Sequence, residues 1–281
     1  MFCNSNSNVP NVLPIKEIRV ESPSVKTFVF DWDFDLSPIS PGQFLMVWNF
    51  NDEKPMSVSC VDVDNGEISI SVRCVGSFTS QLHDLGVGDL LGLRGPYGHG
   101  FDFDGDLTGG RVLGVGGGIG MAPVSCFARY LSESGVGVDV VSAAQTKDEL
   151  LFVEDLSSSG VDVFCVTDDG SFGKEGFAVD GVQGLLETRV YDLIFICGPE
   201  IMMKSIFDLL EDYDMPALYS LERYMKCALG ICGSCCVDKT GWRICMEGPV
   251  FKDTDIPQIT EFNKYHRDAT GTKKKNKWTI K

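Results

Sequence analysis

The sequence lacks any apolar run of the roughly 18 residues that a membrane-spanning helix requires. Its first ten residues, MFCNSNSNVP, are polar and lack the basic start and apolar stretch of a secretion signal. Basic residues are scarce, since 24 Lys and Arg stand against 40 Asp and Glu and leave a formal net charge of −16. Nucleic-acid binding needs a net basic surface, so this charge balance argues against a nucleic-acid-binding protein. We expect a cytoplasmic protein that binds neither a membrane nor nucleic acid.

Histidine is scarce too: the three histidines lie outside every motif described below, which leaves few candidates for acid–base catalysis. Internal repeats are also absent. What the chain does contain is 43% hydrophobic residues, enough for a substantial core. Its 281 residues suit two domains with a small appended module.

The pattern of apolar residues changes along the chain. Through about the first hundred residues it alternates with a period close to two and is broken by Pro and Gly turns, which predicts an antiparallel barrel or sandwich. From Gly109 and Gly110 onward strands alternate with helices, one of them over residues 146–156, so we predict a parallel sheet covered on both faces. Ligands of such sheets bind beyond the carboxyl ends of the strands.

We therefore predict an α+β multidomain protein. Its expected parts are an antiparallel β-barrel over residues 1–106, an α/β parallel-sheet domain over 107–218 and a cysteine-rich module over 219–252. The remaining residues, 253–281, end in the lysines Lys273, Lys274, Lys275, Lys277 and Lys281. A short terminal charge run of this kind predicts a flexible, solvated tail.

Five of the eleven cysteines lie between Cys227 and Cys245, and the other six are scattered singly. The cytosol keeps thiols reduced, so clustered cysteines indicate a metal centre rather than disulfides. The run Cys227-ALGI-Cys232-GS-Cys235, followed by Cys245, has the C-x4-C-x2-C…C spacing of plant-type [2Fe–2S] proteins. Three thiolates from one tight loop can hold two irons while the fourth returns from a hairpin. We predict that these four cysteines are the ligands of a [2Fe–2S] cluster.

Other interpretations of the cysteines stay open. A structural zinc site is one, although zinc ribbons use two C-x2–4-C pairs and the second pair is missing here. Unrelated buried thiols are the other. Cys236 adjoins Cys235 and is a substitute ligand, but the x2 spacing favours Cys235.

Two short patterns in the barrel half indicate phosphate and flavin binding. In Lys54-Pro55-Met56-Ser57 the cation can hold a pyrophosphate, and the serine hydroxyl or a backbone amide can reach a flavin nitrogen. An ordinary Lys-Pro turn is the alternative. In Ser71-Val72-Arg73 an arginine ends a strand before Phe78-Thr79 opens a helix, which predicts a second phosphate cradle. A surface arginine beside a capping threonine is the simpler explanation.

Two turns in the α/β half indicate nucleotide binding. A glycine run from Gly114 to Gly120 joins a strand to a helix, where backbone amides favour a pyrophosphate. It satisfies G-x-G-x-x-G in no register, and a tight helix-packing turn is the alternative. The second turn, which begins at Cys197, follows an apolar strand. The Cys197 thiol can lie against a nicotinamide, and a small buried hydrophobic side chain is the alternative. The predicted positions are Gly116, Gly117, Gly118, Gly120, Cys197, Gly198 and Pro199.

In chain order these patterns resemble the ferredoxin–NADP reductase superfamily: Lys-Pro-x-Ser, the Arg73 strand with Gly76 and Thr79, Gly-Gly-x-Gly-x-Ala-Pro and Cys-Gly-Pro-Glu. The run SLERYMKC over residues 220–227, the four cysteines and C-x-x-GPVF from Cys245 narrow this resemblance. The chain resembles the electron transfer subunits of class 1B dihydroorotate dehydrogenase up to about residue 252.

The resemblance implies that the barrel binds FAD and that the α/β domain binds NAD. Residues 54–57, 71–73 and 78–79 match the family's flavin-contacting positions, and the four cysteines match its cluster ligands. Thr167 to Gly173 matches a loop of the nucleotide domain. Ser57 would lie on the flavin N5 side and Cys197 on the nicotinamide side, with no proton-abstracting residue in the chain.

The resemblance also implies a partner, an FMN-containing catalytic subunit that oxidises dihydroorotate, assembled with this chain as a heterotetramer. Electrons would pass singly through the cluster to FAD and then as hydride to NAD⁺, in pyrimidine (UMP) biosynthesis. The cluster module, around residues 222–250, would face the partner. The scarcity of histidine fits such an electron carrier better than a hydrolase.

Three residues depart from the family pattern. Lys54 replaces the usual arginine and so presents an ammonium point charge instead of a planar guanidinium that can form two parallel hydrogen bonds. Phe78 replaces a glycine. Gln145 stands where arginine is frequent, which favours NAD over NADP. A sulfide dehydrogenase or transhydrogenase subunit of the same build, and a non-catalytic redox-sensing or zinc-stabilised module, remain alternatives.

Overall fold

A computed structural model describes residues 8–213 and 215–275. The first part of the chain forms one antiparallel sheet in the order β1-β7-β4-β5-β6-β3-β2. Its elements are β1 (Asn11–Pro14), β2 (Glu17–Ser22), β3 (Val25–Asp31), β4 (Phe44–Trp48), β5 (Glu53–Asp62), β6 (Glu67–Arg73), α1 (Ser77–His83) and β7 (Leu90–Tyr97).

The sheet closes on itself because β1 and β2, its two edges, are consecutive in the chain. Only Ile15 and Lys16 separate them. The Ile15 amide donates to the carbonyl of Asp89 at 2.8 Å, and the Lys16 amide donates to the carbonyl of Val29 at 2.8 Å. The continuous chain through Ile15 and Lys16 thus joins the two ends of the sheet and gives the barrel that the alternating pattern predicts.

Aromatic and β-branched side chains fill the barrel. Phe28 lies opposite Ile70 and Phe30 opposite Ile68 in the register of β3 and β6. All four side chains are fully buried. Such cross-strand pairs stabilise a sheet through burial and contact between neighbouring side chains.

The second part of the chain forms a sheet in the order β11-β10-β9-β8-β12-β13-β14, parallel except for the last pair. Its elements are β8 (Arg111–Gly117), α2 (Met121–Glu133), β9 (Gly137–Ala144), α3 (Val153–Ser158), β10 (Asp162–Thr167), β11 (Lys174–Glu175), α4 (Ala178–Leu186), β12 (Leu193–Cys197), α5 (Glu200–Leu210), β13 (Ala217–Ser220) and β14 (Val250–Lys252). The predicted α+β fold class is confirmed.

The helix predicted over residues 146–156 is shorter than expected. A 3-10 turn covers Lys147–Glu149, and α3 begins only at Val153. Phe152 adopts a left-handed backbone with φ 58°, which interrupts the helix. Leu151 and Phe152 are buried there, so burial of apolar side chains outweighs local helix preference.

The cysteine-rich stretch lies between β13 and β14. Residues 221–249, all of them described, form turns and the isolated bridges of Cys236 with Arg243 and of Pro249 with His99. Because the stretch leaves the sheet at the carboxyl end of β13, it begins at the edge where ligands of parallel sheets bind.

The prediction of a flexible tail over residues 253–281 is wrong for its described part. Ile256, Ile259 and Phe262 are buried against the body of the protein. Beyond them β15 (Tyr265–Arg267) and β16 (Lys273–Lys275) pair as an antiparallel hairpin. These three apolar side chains, three residues apart, hold the segment against the protein. The prediction of a flexible tail relied on the lysines at the end and did not take this apolar spacing into account. Lys277 and Lys281 lie outside the described residues.

Within the described residues, no helix combines the length and the apolar character needed to cross a membrane.

Candidate functional site

Three neighbouring strands of the parallel sheet end at one place and bring the predicted nucleotide turns together. In register, Cys197 at the end of β12 lies beside Gly116 of β8 and beside Ser220 of β13. The turns that follow β8 and β12 therefore meet at the carboxyl edge of the sheet, next to the start of the cysteine-rich stretch.

The two turns are in close contact, and this contact requires glycine. A Cβ atom on Gly120 would lie 2.3 Å from the carbonyl oxygen of Cys197, and one on Gly117 would lie 3.0 Å from the Cδ atom of Pro199. Gly118 has φ +53°, which an L-residue rarely adopts. The backbone of the glycine turn is thus held against the Cys197–Pro199 turn.

Cys197 carries a neutral thiol. Burial raises its pKa to about 12, against a smaller opposing effect of the hydrogen bond with Ser220. A protonated thiol adds no charge at the end of β12. It is a small, polarisable group, the kind of surface on which a planar ring can rest.

Arg73 and Lys54 point from the barrel towards this edge. An Nη atom of Arg73, at the end of β6, lies 3.8 Å from the position of a Cβ on Gly118. The Lys54 Nζ lies 5.9 Å from the ring centroid of Phe78 and 5.5 Å from that of Tyr224, and it pairs with Asp52 at 2.6 Å. Arg73 therefore lies beside the glycine turn at the boundary between barrel and parallel sheet, which we call the cleft, and Lys54 lies beside Tyr224 at the start of the cysteine-rich stretch. Tyr224 is a neighbour of Lys54 that sequence reasoning missed.

Several predicted flavin contacts have side chains already engaged by the fold. The Ser71 hydroxyl is hydrogen-bonded to Thr27 at 2.7 Å inside the barrel, and Val72 is fully buried. Thr79 accepts hydrogen bonds from the amides of Val75 and Gly76 at 2.9 and 3.0 Å. These residues can contact a ligand only through their backbone. Ser57 lies on β5 opposite Phe44 of β4, and its side chain is half-buried.

The cysteine loop curls around Cys227. The amides of Leu229 and Cys232 both donate to the Cys227 sulfur at 3.4 Å. Ala228, Gly230 and Gly233 have φ of 58°, 70° and 71°. Repeated left-handed residues turn successive amides towards one side, an arrangement that suits sulfur acceptors.

The four predicted ligands lie as two neighbouring pairs, since the Cys227 thiol influences that of Cys232 and the Cys245 thiol influences that of Cys235. The bond from Cys245 lowers the pKa of Cys235 to about 6 and raises that of Cys245. At Cys232 burial acts upward, but hydrogen bonds with Ser234 and Cys227 prevail and lower the pKa to about 7. Two of the thiols are thus near deprotonation at neutral pH, and the thiolate is the form that binds metal.

Within residues 8–213 and 215–275, no three cysteine, histidine or carboxylate side chains gather around one point as they would for a single metal ion. Cys236 is separate from the two pairs. Its amide donates to the carbonyl of Gly233 at 3.1 Å, and burial raises its pKa.

Sequence reasoning also missed Arg94 as a functional candidate. This buried arginine of β7 donates to the backbone carbonyl of Cys227 at 3.0 Å, so it connects the barrel to the cysteine loop. The available signal was a charged residue in the otherwise apolar strand LLGLRGPY.

Together the closed barrel, the parallel sheet with its glycine and thiol turns, and the cysteine loop define a class of protein. It is a flavin- and nicotinamide-linked reductase with an iron–sulfur module.

Two solved structures share this architecture. The NADH-dependent reduced ferredoxin–NADP oxidoreductase, studied for flavin-based electron bifurcation, matches with a TM-score of 0.79 and 27% identity, over 90% of this chain and 92% of that chain. The ferredoxin reductase in carbazole 1,9a-dioxygenase matches with a TM-score of 0.62 and 21% identity, over 73% of this chain and 66% of that chain. The second likeness shows the fold alone.

The profile of the iron–sulfur cluster binding domain of dihydroorotate dehydrogenase B matches residues 222–256. A probable dihydroorotate dehydrogenase B (NAD(+)) electron transfer subunit from Methanothermobacter thermautotrophicus is 53% identical over 264 residues, which cover 94% of this chain and 97% of that protein. Its counterpart from Methanocaldococcus jannaschii is 46% identical over 265 residues, 94% of this chain and 98% of that protein.

The chain belongs to this family of electron transfer subunits. Membership confirms the predicted class, an oxidoreductase subunit with an FAD- and NAD-binding reductase fold and an iron–sulfur domain.

Proposed function

We propose that this chain transfers electrons between an FMN-containing dihydroorotate dehydrogenase subunit and NAD⁺ in pyrimidine biosynthesis. One observation carries the proposal: four cysteines lie as two pairs in a loop that begins beside the glycine and Cys197 turns. The family relatives, of which the chain covers 97% and 98%, support the activity as a whole.

The residues of the cysteine loop fit a [2Fe–2S] cluster. We propose Cys227, Cys232, Cys235 and Cys245 as its ligands, since a cluster of two irons takes two cysteines per iron and the thiols are paired. A structural zinc site commonly takes its ligands from two C-x2–4-C pairs, and the second pair is missing from this sequence. The curled backbone from Ala228 to Gly233 would direct amides at the sulfurs.

The cleft between barrel and sheet fits FAD and NAD. Lys54 and Arg73 would neutralise pyrophosphate charge from the barrel side, and the glycine turn would offer backbone amides. Ser57 would lie near the flavin ring, and the neutral Cys197 thiol near the nicotinamide. The full set of proposed contacts is Lys54, Pro55, Met56, Ser57, Ser71, Val72, Arg73, Phe78, Thr79, Gly116, Gly117, Gly118, Gly120, Cys197, Gly198 and Pro199.

The bound groups supply the redox chemistry, because flavin links one-electron and two-electron steps. The chain's own residues bind, orient and shield them. Lys54 and Arg73 hold anionic groups, and Cys197 keeps the ring side uncharged. Gln145 in place of an arginine favours the unphosphorylated ribose of NAD.

We further propose that the module over residues 219–252 docks on the catalytic subunit, in a cytoplasmic heterotetramer. Cys232 is exposed and Ile231 is 80% exposed, so the loop presents an apolar residue beside a proposed ligand. The barrel would cover residues 1–106 and the nucleotide domain 107–218.

The test is anaerobic purification followed by flavin, iron and sulfide analysis and by identification of co-eluting proteins. We expect one FAD, two irons and two sulfides per chain, and dihydroorotate-dependent NAD⁺ reduction with the co-eluting FMN subunit. A colourless protein that contains zinc would contradict the proposal.

The likeness to the NADH-dependent reduced ferredoxin–NADP oxidoreductase supports a second candidate, a transhydrogenase-type subunit with another partner. Reduction of NAD⁺ by dihydroorotate in the purified complex would decide for the first candidate, and its absence together with NADPH-dependent NAD⁺ reduction would decide for the second.

A further inference from the structure

Arg94 is a buried cation in the last strand of the barrel, 7% exposed. Its Nε and one Nη donate to the two carboxylate oxygens of Glu53 at 2.6 and 2.5 Å. Glu53 opens β5 and Arg94 lies on β7, and both strands pair with β4. The fork therefore spans β4 and immobilises the guanidinium, because a bidentate pair fixes both partners.

The remaining Nη of Arg94 is directed out of the barrel. It donates to the Tyr97 hydroxyl at 3.0 Å and to the carbonyl oxygen of Cys227 at 3.0 Å. Cys227 is the first proposed cluster ligand, and its carbonyl precedes the left-handed residue Ala228. A rigid barrel side chain thus holds the backbone at the point where the cysteine loop begins to curl.

The same end of the barrel also holds the far end of the loop. The His99 amide donates to the carbonyl of Gly248 at 2.7 Å, three residues after Cys245. A Cβ on Gly98 would lie 2.5 Å from the Cδ atom of Pro249, so these two segments of the chain are in direct contact. The barrel therefore contacts the cysteine loop on both sides, once through the Arg94 side chain and once through backbone.

We propose that Arg94 is a positioning residue that sets the cysteine loop at a fixed distance from the flavin cleft, and so governs electron transfer between the two groups. The proposal rests on the proposed function, because it requires FAD in the cleft and the cluster in the loop. The hydrogen bonds of Arg94 with Glu53 and Tyr97 would be enough to stabilise the barrel. Its hydrogen bond to Cys227 instead joins two separate parts of the chain.

The experiment compares Arg94→Lys and the double variant Glu53→Gln/Arg94→Gln with the intact holoprotein. The double variant removes both charges and so leaves no unpaired carboxylate beside the buried position of Arg94. Arg19→Lys is the matched control, because Arg19 forms the same two-bond fork with Glu17, at 2.8 Å for each bond, on the exposed surface of β2.

The measurements are flavin, iron and sulfide content, the rates of flavin and cluster reduction by NADH in anaerobic stopped flow, and the electron paramagnetic resonance spectrum of the reduced cluster. We expect flavin reduction within twofold of wild type. Cluster reduction should slow well beyond twofold, since the rate of electron transfer falls steeply as two redox groups move apart. The resonance lines should broaden as the loop samples several positions, and Arg19→Lys should leave every readout unchanged.

Cluster reduction within twofold of wild type at full iron content would overturn the proposal. So would joint loss of flavin and iron in both Arg94 variants, because Arg94 would then maintain the barrel itself. Loss of iron with flavin retained would support it. A wild-type preparation without flavin and iron would overturn the proposed function, so the intact sample separates the two failures.

Discussion

The two ends of the parallel sheet use polar groups in opposite ways. At the amino end, the Asp139 carboxylate is fully buried and accepts hydrogen bonds from Arg111, Arg189 and the Tyr191 hydroxyl, each at 2.5 Å. At the carboxyl end the strands finish in glycines and a thiol, and the nearby cations lie on the barrel across the cleft.

This difference separates structural from functional charge. A fully buried carboxylate with three donors is closed to a ligand, so the amino end contributes to stability. At the carboxyl end, the backbone amides, the neutral Cys197 thiol and the partly exposed Lys54 can still bind an anionic, planar ligand. Variants at the two ends should therefore fail in different ways.

The largest expected effect is at the carboxyl end. Cys232→Ser removes an exposed sulfur whose pKa is lowered to about 7 and leaves the packed core intact. We expect loss of the cluster and complete loss of NADH-driven cluster reduction, with FAD and the unfolding midpoint retained. Iron analysis and visible absorbance measure it, with Cys74→Ser, an exposed cysteine on the barrel, as the control. Retention of full iron content would remove Cys232 from the ligand set.

At the amino end we expect the reverse behaviour. Asp139→Asn should lower the free energy of unfolding by about 3 kcal/mol, since the fully buried side chain loses its charge-assisted hydrogen bonds with the partly exposed Arg111 and Arg189. Asp162→Asn is the control, because Asp162 is exposed and lies 3.7 and 3.5 Å from the same two arginines, and it should cost about 0.5 kcal/mol. Urea unfolding measures both. Equal effects of the two variants would contradict the comparison.

Much of this contrast is predictable from sequence, and the reason is periodicity. Alternation of apolar residues predicts the barrel, and the strand–glycine–helix order predicts where Gly117 and Cys197 lie, because parallel strands end at a common edge. The cysteine spacing predicts the loop of Cys227. These signals are local in the chain.

The features that sequence reasoning missed are contacts between distant residues. Arg94 meets the carbonyl of Cys227 across 133 positions, and a backbone acceptor leaves no mark in the sequence. The C-terminal segment is similar: Glu261 is buried and accepts from the Asp238 amide with both oxygens at 3.1 Å. The lysines near the end suggest solvation, whereas Lys273 pairs with Asp238 at 2.8 Å.

A smaller effect should follow a change inside the nucleotide turns. Gly120→Ala places a Cβ at 2.3 Å from the Cys197 carbonyl and forces the two turns apart, at a cost of about 2 kcal/mol. We expect the KM for NADH to rise by about tenfold or more while FAD content stays constant. Steady-state diaphorase kinetics measure this. The control is Gly184→Ala in α4, where a Cβ meets only the Lys174 amine, at 3.7 Å, and helix propensity favours alanine. An unchanged KM would argue against NAD binding at these turns.

The smallest expected effect concerns the barrel side of the cleft. Lys54→Arg replaces a point charge with a planar fork that can bind phosphate through two bonds and stack on Tyr224 and Phe78. We expect FAD to bind about fivefold more tightly, equivalent to about 1 kcal/mol. Flavin fluorescence titration of the deflavinated protein measures the Kd, with Lys16→Arg, paired to Asp31 at the barrel surface, as the control. Weaker FAD binding by Lys54→Arg would contradict this expectation. It would mean that the space between the rings of Phe78 and Tyr224 fits the ammonium group of Lys54 better than a guanidinium group.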